Sequence, residues 1–167
     1  MRLLEEPAGL WEVRDRGTEQ RRAACTGLSR QVPLPDPVLH DALYDRRMTP
    51  AAWTPYPDAA EVLCTPHERG IGVGVVSSIG RDLRPVFRVH GLAPYVGTHV
   101  LSYERGIQKP DPRLFAPACT ALGAGVGDVL MAGDSRHADG GAAALGCAVH
   151  FVDHLPVADR PFSSSVR

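Results

Sequence analysis

The chain has 167 residues, of which 44% are hydrophobic and 22% charged, with a formal net charge of −1. This is the composition of an ordinary soluble globular domain with enough apolar material for a core, and it lacks the basic excess expected of a nucleic-acid or anionic-membrane binder. Aromatic residues make up only 6% without regular spacing, and no apolar run approaches the ~20 residues of a membrane span.

Residues 1 to about 57 are charged and punctuated by proline. Met1 to Glu6 contains no apolar signal core and carries early acids, so a cytoplasmic location is the default expectation. Helices are predicted at about 18–30 and 37–47, where Leu39, Ala42, Leu43 and Tyr44 recur at helix-compatible intervals. Thr49 through Pro57 is a turn-rich linker, because repeated prolines forbid regular pairing. Nothing before it has the pattern of a buried strand.

From Asp58 onward the pattern alternates between helix and apolar strand. Asp58 is expected to cap a helix running to about Arg69, with Gly70 as its stop. Residues 71–76 form a short β-branched run ending at Ser77-Ser78, of the kind buried on both faces of a parallel sheet. A helix follows at about 81–90, a weaker strand at 98–102, and a helix from Asp111 to Leu122 stopped by Gly123. A second buried strand is predicted at 129–132, ending in Gly133-Asp134-Ser135. A small-residue helix at about 138–145 stops at Gly146, and 148–152 is the last strand. Strict alternation predicts a parallel α/β sheet. The residues from about Pro156 read as a flexible tail.

Cys25, Cys64, Cys119 and Cys147 contain no Cys-x-x-Cys pair and read as reduced, mostly buried small hydrophobes. The seven histidines lack the His-Glu-x-x-His spacing, and His150 and His154 flank a strand-like run instead of a helix face.

Three polar clusters fall at strand ends or on the loops between them, the rim where an open parallel sheet binds ligands. They are Ser77-Ser78, Lys109, and Asp134 with Asp139. Lys109 is the single lysine of the chain against seventeen arginines, which marks it as a place where a compact ammonium is wanted and a planar guanidinium is not. Hydroxyl donor, ammonium and paired carboxylates are the chemistries of a phosphoryl site with Mg2+. Each also has a simpler reading: a serine in a turn, Asp111 as a helix cap, and Asp134 and Asp139 complementing the next helix N-terminus.

The order and local sequence of these clusters resemble the haloacid dehalogenase-like hydrolase superfamily. Val75-Val76-Ser77-Ser78 is similar to its second motif, and Gly106-Ile107-Gln108-Lys109-Pro110-Asp111-Pro112 to its third. Val129-Leu130-Met131-Ala132-Gly133-Asp134-Ser135, followed by Asp139, resembles the fourth, and Pro55-Tyr56-Pro57-Asp58 resembles the exit from the family's helical cap. The resemblance implies a Rossmann-like parallel sheet with a partial helical cap. It implies that Ser77 hydrogen-bonds a phosphoryl oxygen and that Lys109 neutralises the nucleophile and phosphoryl group. Asp134 would bind Mg2+, with Asp139 as a further ligand or a supporting partner. Ser78 stands where the family often has Asn.

The family's first motif, Asp-x-Asp at the end of its first strand, is absent, and the nearest string, Asp15-Arg16-Gly17-Thr18, has one Asp and charged residues before it. The chain is therefore expected to begin partway through the cap and to lack the first, central strand, which the resemblance places between the Ser77 and Asp134 strands. The expected division is a partial cap and linker at 1–57, a core at 58–155 and a tail at 156–167. The expected activity is hydrolysis of small phosphorylated metabolites. The alternatives are a metal-free haloacid dehalogenase, a non-catalytic phosphate- or metabolite-binding protein, and an inactive fragment. No nucleic-acid or membrane partner is expected, and the oligomeric state is left open.

Overall fold

The computed structural model describes residues 9–153. The expectations for Met1 to Glu6, for His154 and for the tail lie outside those residues. Two parallel strand pairs form its centre. In the first, β1 (Gly74–Ser77) lies beside β2 (Thr98–Leu101), with Val76 opposite Val100 and Ser77 opposite Leu101. In the second, β3 (Leu130–Gly133) lies beside β4 (Ala148–Phe151), with Met131 opposite Val149. The sequence predicts a parallel sheet without a strand between the Ser77 and Asp134 strands, and among the described residues no strand joins β1 to β3.

The two pairs share a helical layer. Leu114 and Ala118 pack with Val100 and Val76, while Phe115 and Cys119 pack with Ala142, Cys147, Met131 and Val149. Val76 reaches both clusters, so β1 is the strand of the first pair that faces the second. Cys119 and Cys147 are buried free thiols, as their apolar settings predict.

Burial of the strands differs from expectation. β1 is half-buried along its length, and in β3 burial alternates, leaving Leu130 63% exposed. The described helices cover only the face carrying Met131, so the run predicted to be buried on both faces is buried on one.

The helix predicted at 111–122 is interrupted. A 3-10 turn covers Pro112–Leu114, and the α-helix restarts as Ala116–Leu122. Pro117 has no N–H for the carbonyl four residues back and its ring crowds that carbonyl, so it belongs in a first helical turn. Asp111 does cap this segment, accepting from the Arg113 N–H at 2.9 Å. The segment predicted at 138–145 is α-helical at Arg136–Asp139 and becomes a 3-10 turn at Gly140–Leu145.

Before the strands, helices Thr18–Ser29 and Val38–Arg47 pack against each other, and Ala59–Glu68 leads into β1. Asp58 makes no side-chain cap bond. Leu39 and Leu43, expected on an apolar face, are 38% and 56% exposed, because the buried face is the one carrying His40 and Tyr44. Polar contacts hold the pair: Arg22 bridges Asp41 and Asp45, and the Ser29 hydroxyl meets His40 Nδ1 at 2.7 Å. Among the described residues no helix is long and apolar enough to cross a membrane.

Candidate functional site

Three of the four predicted site residues belong to segments joined by Lys109. Its backbone N–H donates to Ser78 Oγ at 2.8 Å, fixing the loop to the end of β1. Its Nζ donates to Asp139 Oδ1 at 2.5 Å, reaching the segment after β3. One residue thus spans the C-terminal ends of two strands that are not hydrogen-bonded to each other.

Asp139 is enclosed, its side chain 2% exposed against 14% for Lys109. Its second oxygen accepts from the Ser135 N–H at 2.9 Å, and the Ser135 hydroxyl accepts from the Ala138 N–H at 3.1 Å, capping the turn that carries Asp139. Gly133 makes this possible, since a Cβ there would overlap the Asp139 carboxylate. Gly141 serves the neighbouring contact: a Cβ on it would strike the backbone of Pro110. Two of the small residues in this stretch are therefore needed to bring the Lys109 loop and the Asp139 turn together.

Ser77 ends β1 and is half-buried, and its hydroxyl makes no hydrogen bond among the described residues. Asp134 follows β3 directly and is exposed. The two acids thus differ in availability. Asp139 spends both oxygens on Lys109 and Ser135, while Asp134 remains accessible. Mg2+ asks for near-octahedral oxygen ligation, commonly from one or two carboxylates plus water and phosphate oxygens. No group of three or more metal-binding side chains occurs among the described residues, so a Mg2+ ion held by the one open carboxylate, Asp134, would take most of its oxygen ligands from water and phosphate. Of the two roles the resemblance allows Asp139, the geometry matches the supporting one.

Two contributors carry no local signal in the sequence. Ser102, fully buried after β2, accepts from the Ile79 N–H at 2.7 Å and also contacts the carbonyl oxygens of Ile79 and Asp15. Ser102, 87 residues beyond Asp15 in the chain, thus joins the Asp15 segment to the loop after β1. Gln108 donates to the Glu12 carbonyl at 2.7 Å, tying the Lys109 loop to the same region. Asp15 is not in a strand: it lies between Leu10–Val13 and Thr18–Ser29, 4% exposed, with its carboxylate paired to Arg21 and Arg14.

The profile of the haloacid dehalogenase-like hydrolase family matches residues 5–146. The chain is 32% identical over 117 residues to haloacid dehalogenase-like hydrolase domain-containing protein 3 of Danio rerio, covering 65% of this chain and 48% of that protein. It is 35% identical over 85 residues to the phosphoserine phosphatase of Thermus thermophilus, covering 50% of this chain and 34% of that protein. The matches thus span about half or less of these relatives' lengths. In structure it is similar to a HAD phosphatase from Thermococcus onnurineus, with a TM-score of 0.63 and 23% identity over 92% of this chain and 80% of that one. With motifs, fold and profile in agreement over most of its length, the chain belongs to the haloacid dehalogenase-like hydrolase family.

Proposed function

We propose that the rim formed by Ser77, Lys109 and Asp134 is the phosphate-handling part of a phosphatase for small phosphorylated metabolites, working in the cytoplasm. The observation that carries this reading is the double anchoring of Lys109, whose backbone N–H is bonded to Ser78 after β1 and whose ammonium, the chain's single one, is bonded to Asp139 in the segment after β3. In this reading the Ser77 hydroxyl donates to a phosphoryl oxygen. Lys109 offsets its negative charge, and Asp139 holds the ammonium in place. Asp134 offers one open carboxylate toward Mg2+, which would neutralise phosphoryl charge when bound. The phosphoserine phosphatase relative supports the substrate class.

Residues 1–57 then act as a partial cap and 58–155 as the core. Covalent phosphoryl transfer also needs a nucleophilic carboxylate, and the sequence contains no Asp-x-Asp string. In this reading the nucleophile belongs on a strand between β1 and β3 that the described residues do not supply. Phosphate release from p-nitrophenyl phosphate, with and without Mg2+, tests this together with orthophosphate binding. The expected result is binding of orthophosphate, lost in Lys109→Ala, without turnover. Turnover by the chain would refute the missing nucleophile, and failure to bind orthophosphate would overturn the phosphate-handling rim.

The commitment of Asp139 to Lys109 favours a second reading, a metal-free dehalogenase, because it leaves one open acid where two would favour a metal. Chloride release from 2-chloropropionate, unaffected by chelator, is its signature.

A further inference from the structure

The helix Val38–Arg47 turns its apolar residues away from the protein. His40 and Tyr44 face inward and are buried, while Val38, Leu39, Ala42 and Leu43 are exposed. With 3.6 residues per turn, those four fall in one arc of the helix with Arg46 among them. An apolar arc of this kind normally marks a face that packs against something.

The middle of the arc is a seam. Asp36, Leu39, Leu43 and Arg46 follow one another at intervals of three, four and three residues, the spacing that lines the contact stripe between two paired helices. Two leucines hold its centre and opposite charges its ends. Asp36 stands at the first turn, where its carbonyl accepts from the Leu39 N–H at 3.1 Å and its Oδ1 from the Val38 N–H at 2.9 Å. Asp36 and Arg46 are both exposed, and neither has an ion-pair partner among the described residues. The other acids of the helix are already paired on its opposite side, Asp41 with Arg22 and Arg30, and Asp45 with Arg22.

This pattern is complementary to itself. The pair Leu39 and Leu43 and the pair Asp36 and Arg46 share one midpoint, at residue 41. A two-fold axis at that level, with the helices antiparallel, sets Leu39 against Leu43 of a second copy and Asp36 against Arg46 of the second copy, each contact occurring twice. A parallel arrangement would set like charges together at both ends. We infer that the outer face of Val38–Arg47 is a self-association surface on which two copies of this chain pair antiparallel. A helix of 10 residues is short, so the contact is small beside the ~800 Å2 that each partner buries in a standard interface, and the dimer is weak and concentration-dependent. The surface contains no residue of the Ser77–Lys109 rim, so it stands or falls separately from the phosphatase reading.

Sedimentation equilibrium of the full chain, from micromolar to submillimolar concentration, is the test. The native chain is expected to pass from monomer to dimer over that range, with the dimer weakened by added salt. Leu43→Glu should remain monomeric throughout, and its circular dichroism should match the native chain because the side chain is exposed. Arg46→Asp and Asp36→Arg should each raise the dissociation constant by about tenfold or more, since every reversed contact is made twice. An equimolar mixture of those two variants should recover association, because the mixed dimer restores both opposite-charge contacts. A native chain that is monomeric throughout, a dimer that persists in Leu43→Glu, or a mixture that associates no better than its separate components overturns the assignment.

Discussion

Lys109 and Asp139 form a charge-assisted hydrogen bond of 2.5 Å between segments 30 residues apart, and it ties the loop anchored at the end of β1 to the turn after β3. Both are largely withdrawn from solvent, so the pair is costly to break from one side only. Asp139→Ala is expected to destabilise the protein by about 3–5 kcal/mol, with Lys109→Met comparable and the double variant less than additive. Urea melts of the four proteins measure the coupling. Simple additivity would show that the pair is not an energetic unit.

Gly141 sits where any side chain meets the Pro110 backbone, whereas a Cβ on Gly127 meets nothing within 4 Å. Gly141→Ala should therefore cost about 1–3 kcal/mol through overpacking. Gly127→Ala should be close to neutral by comparison. Equal thermal shifts for the two would mean that the Lys109 loop and the 140–145 turn give way freely.

Ser102 is expected to be a stability residue of unusual weight for a serine. Ser102→Ala leaves the buried Ile79 N–H without its acceptor, a penalty of about 1–3 kcal/mol. Ser102→Thr keeps the hydroxyl but adds a methyl to a fully buried position, so it should recover part of the loss only if the site relaxes. Denaturant midpoints with unchanged slopes would confirm a native-state effect.

The inner edges of β1 and β3 have no strand partner among the described residues. Amides of residues 74–77 and 130–133 that point away from β2 and β4 should exchange with solvent much faster than those that point toward them. Hydrogen exchange read by NMR resolves the alternation. Uniform protection along either strand would reveal a partner on the inner edge.

His99 packs edge-on against Phe87, and burial lowers its pKa, assisted by Arg84 and opposed by Asp82 and Glu104. With the folded value depressed, the unfolded chain takes up the proton first as pH falls below the ordinary histidine value of about 6.5. The His99 contribution to stability is thus present above that pH and is lost as pH drops toward the folded value. Thermal midpoints at pH 7 and pH 5 should fall further for the native protein than for His99→Phe. An equal fall would remove His99 from the acid response.

Much of the fold can be read from local sequence. The helices at 18–29, 38–47 and 59–68 and the four strands lie within a few residues of their predicted places, because apolar spacing, proline and glycine act over short range. The break before Pro117 is equally local, since proline acts on its own turn, whereas the helical composition of 111–122 reads as one helix. Burial was harder. The β-branched runs at β1 and β3 suit a strand enclosed on both faces, but enclosure depends on what else packs there, and the described helices cover one face of β3.

At the candidate site, the sequence by itself determined the family resemblance, the order of the Ser77, Lys109 and Asp134 segments, and the singularity of the lysine. These are properties of residue type and short spacing. Only the tertiary structure decided that Asp139 serves Lys109 while Asp134 stays open, and that Ser102 ties the Asp15 segment to the loop after β1. Each of those follows from which groups meet across separations of tens of residues, where a carboxylate accepts from whichever donor the packing brings within reach.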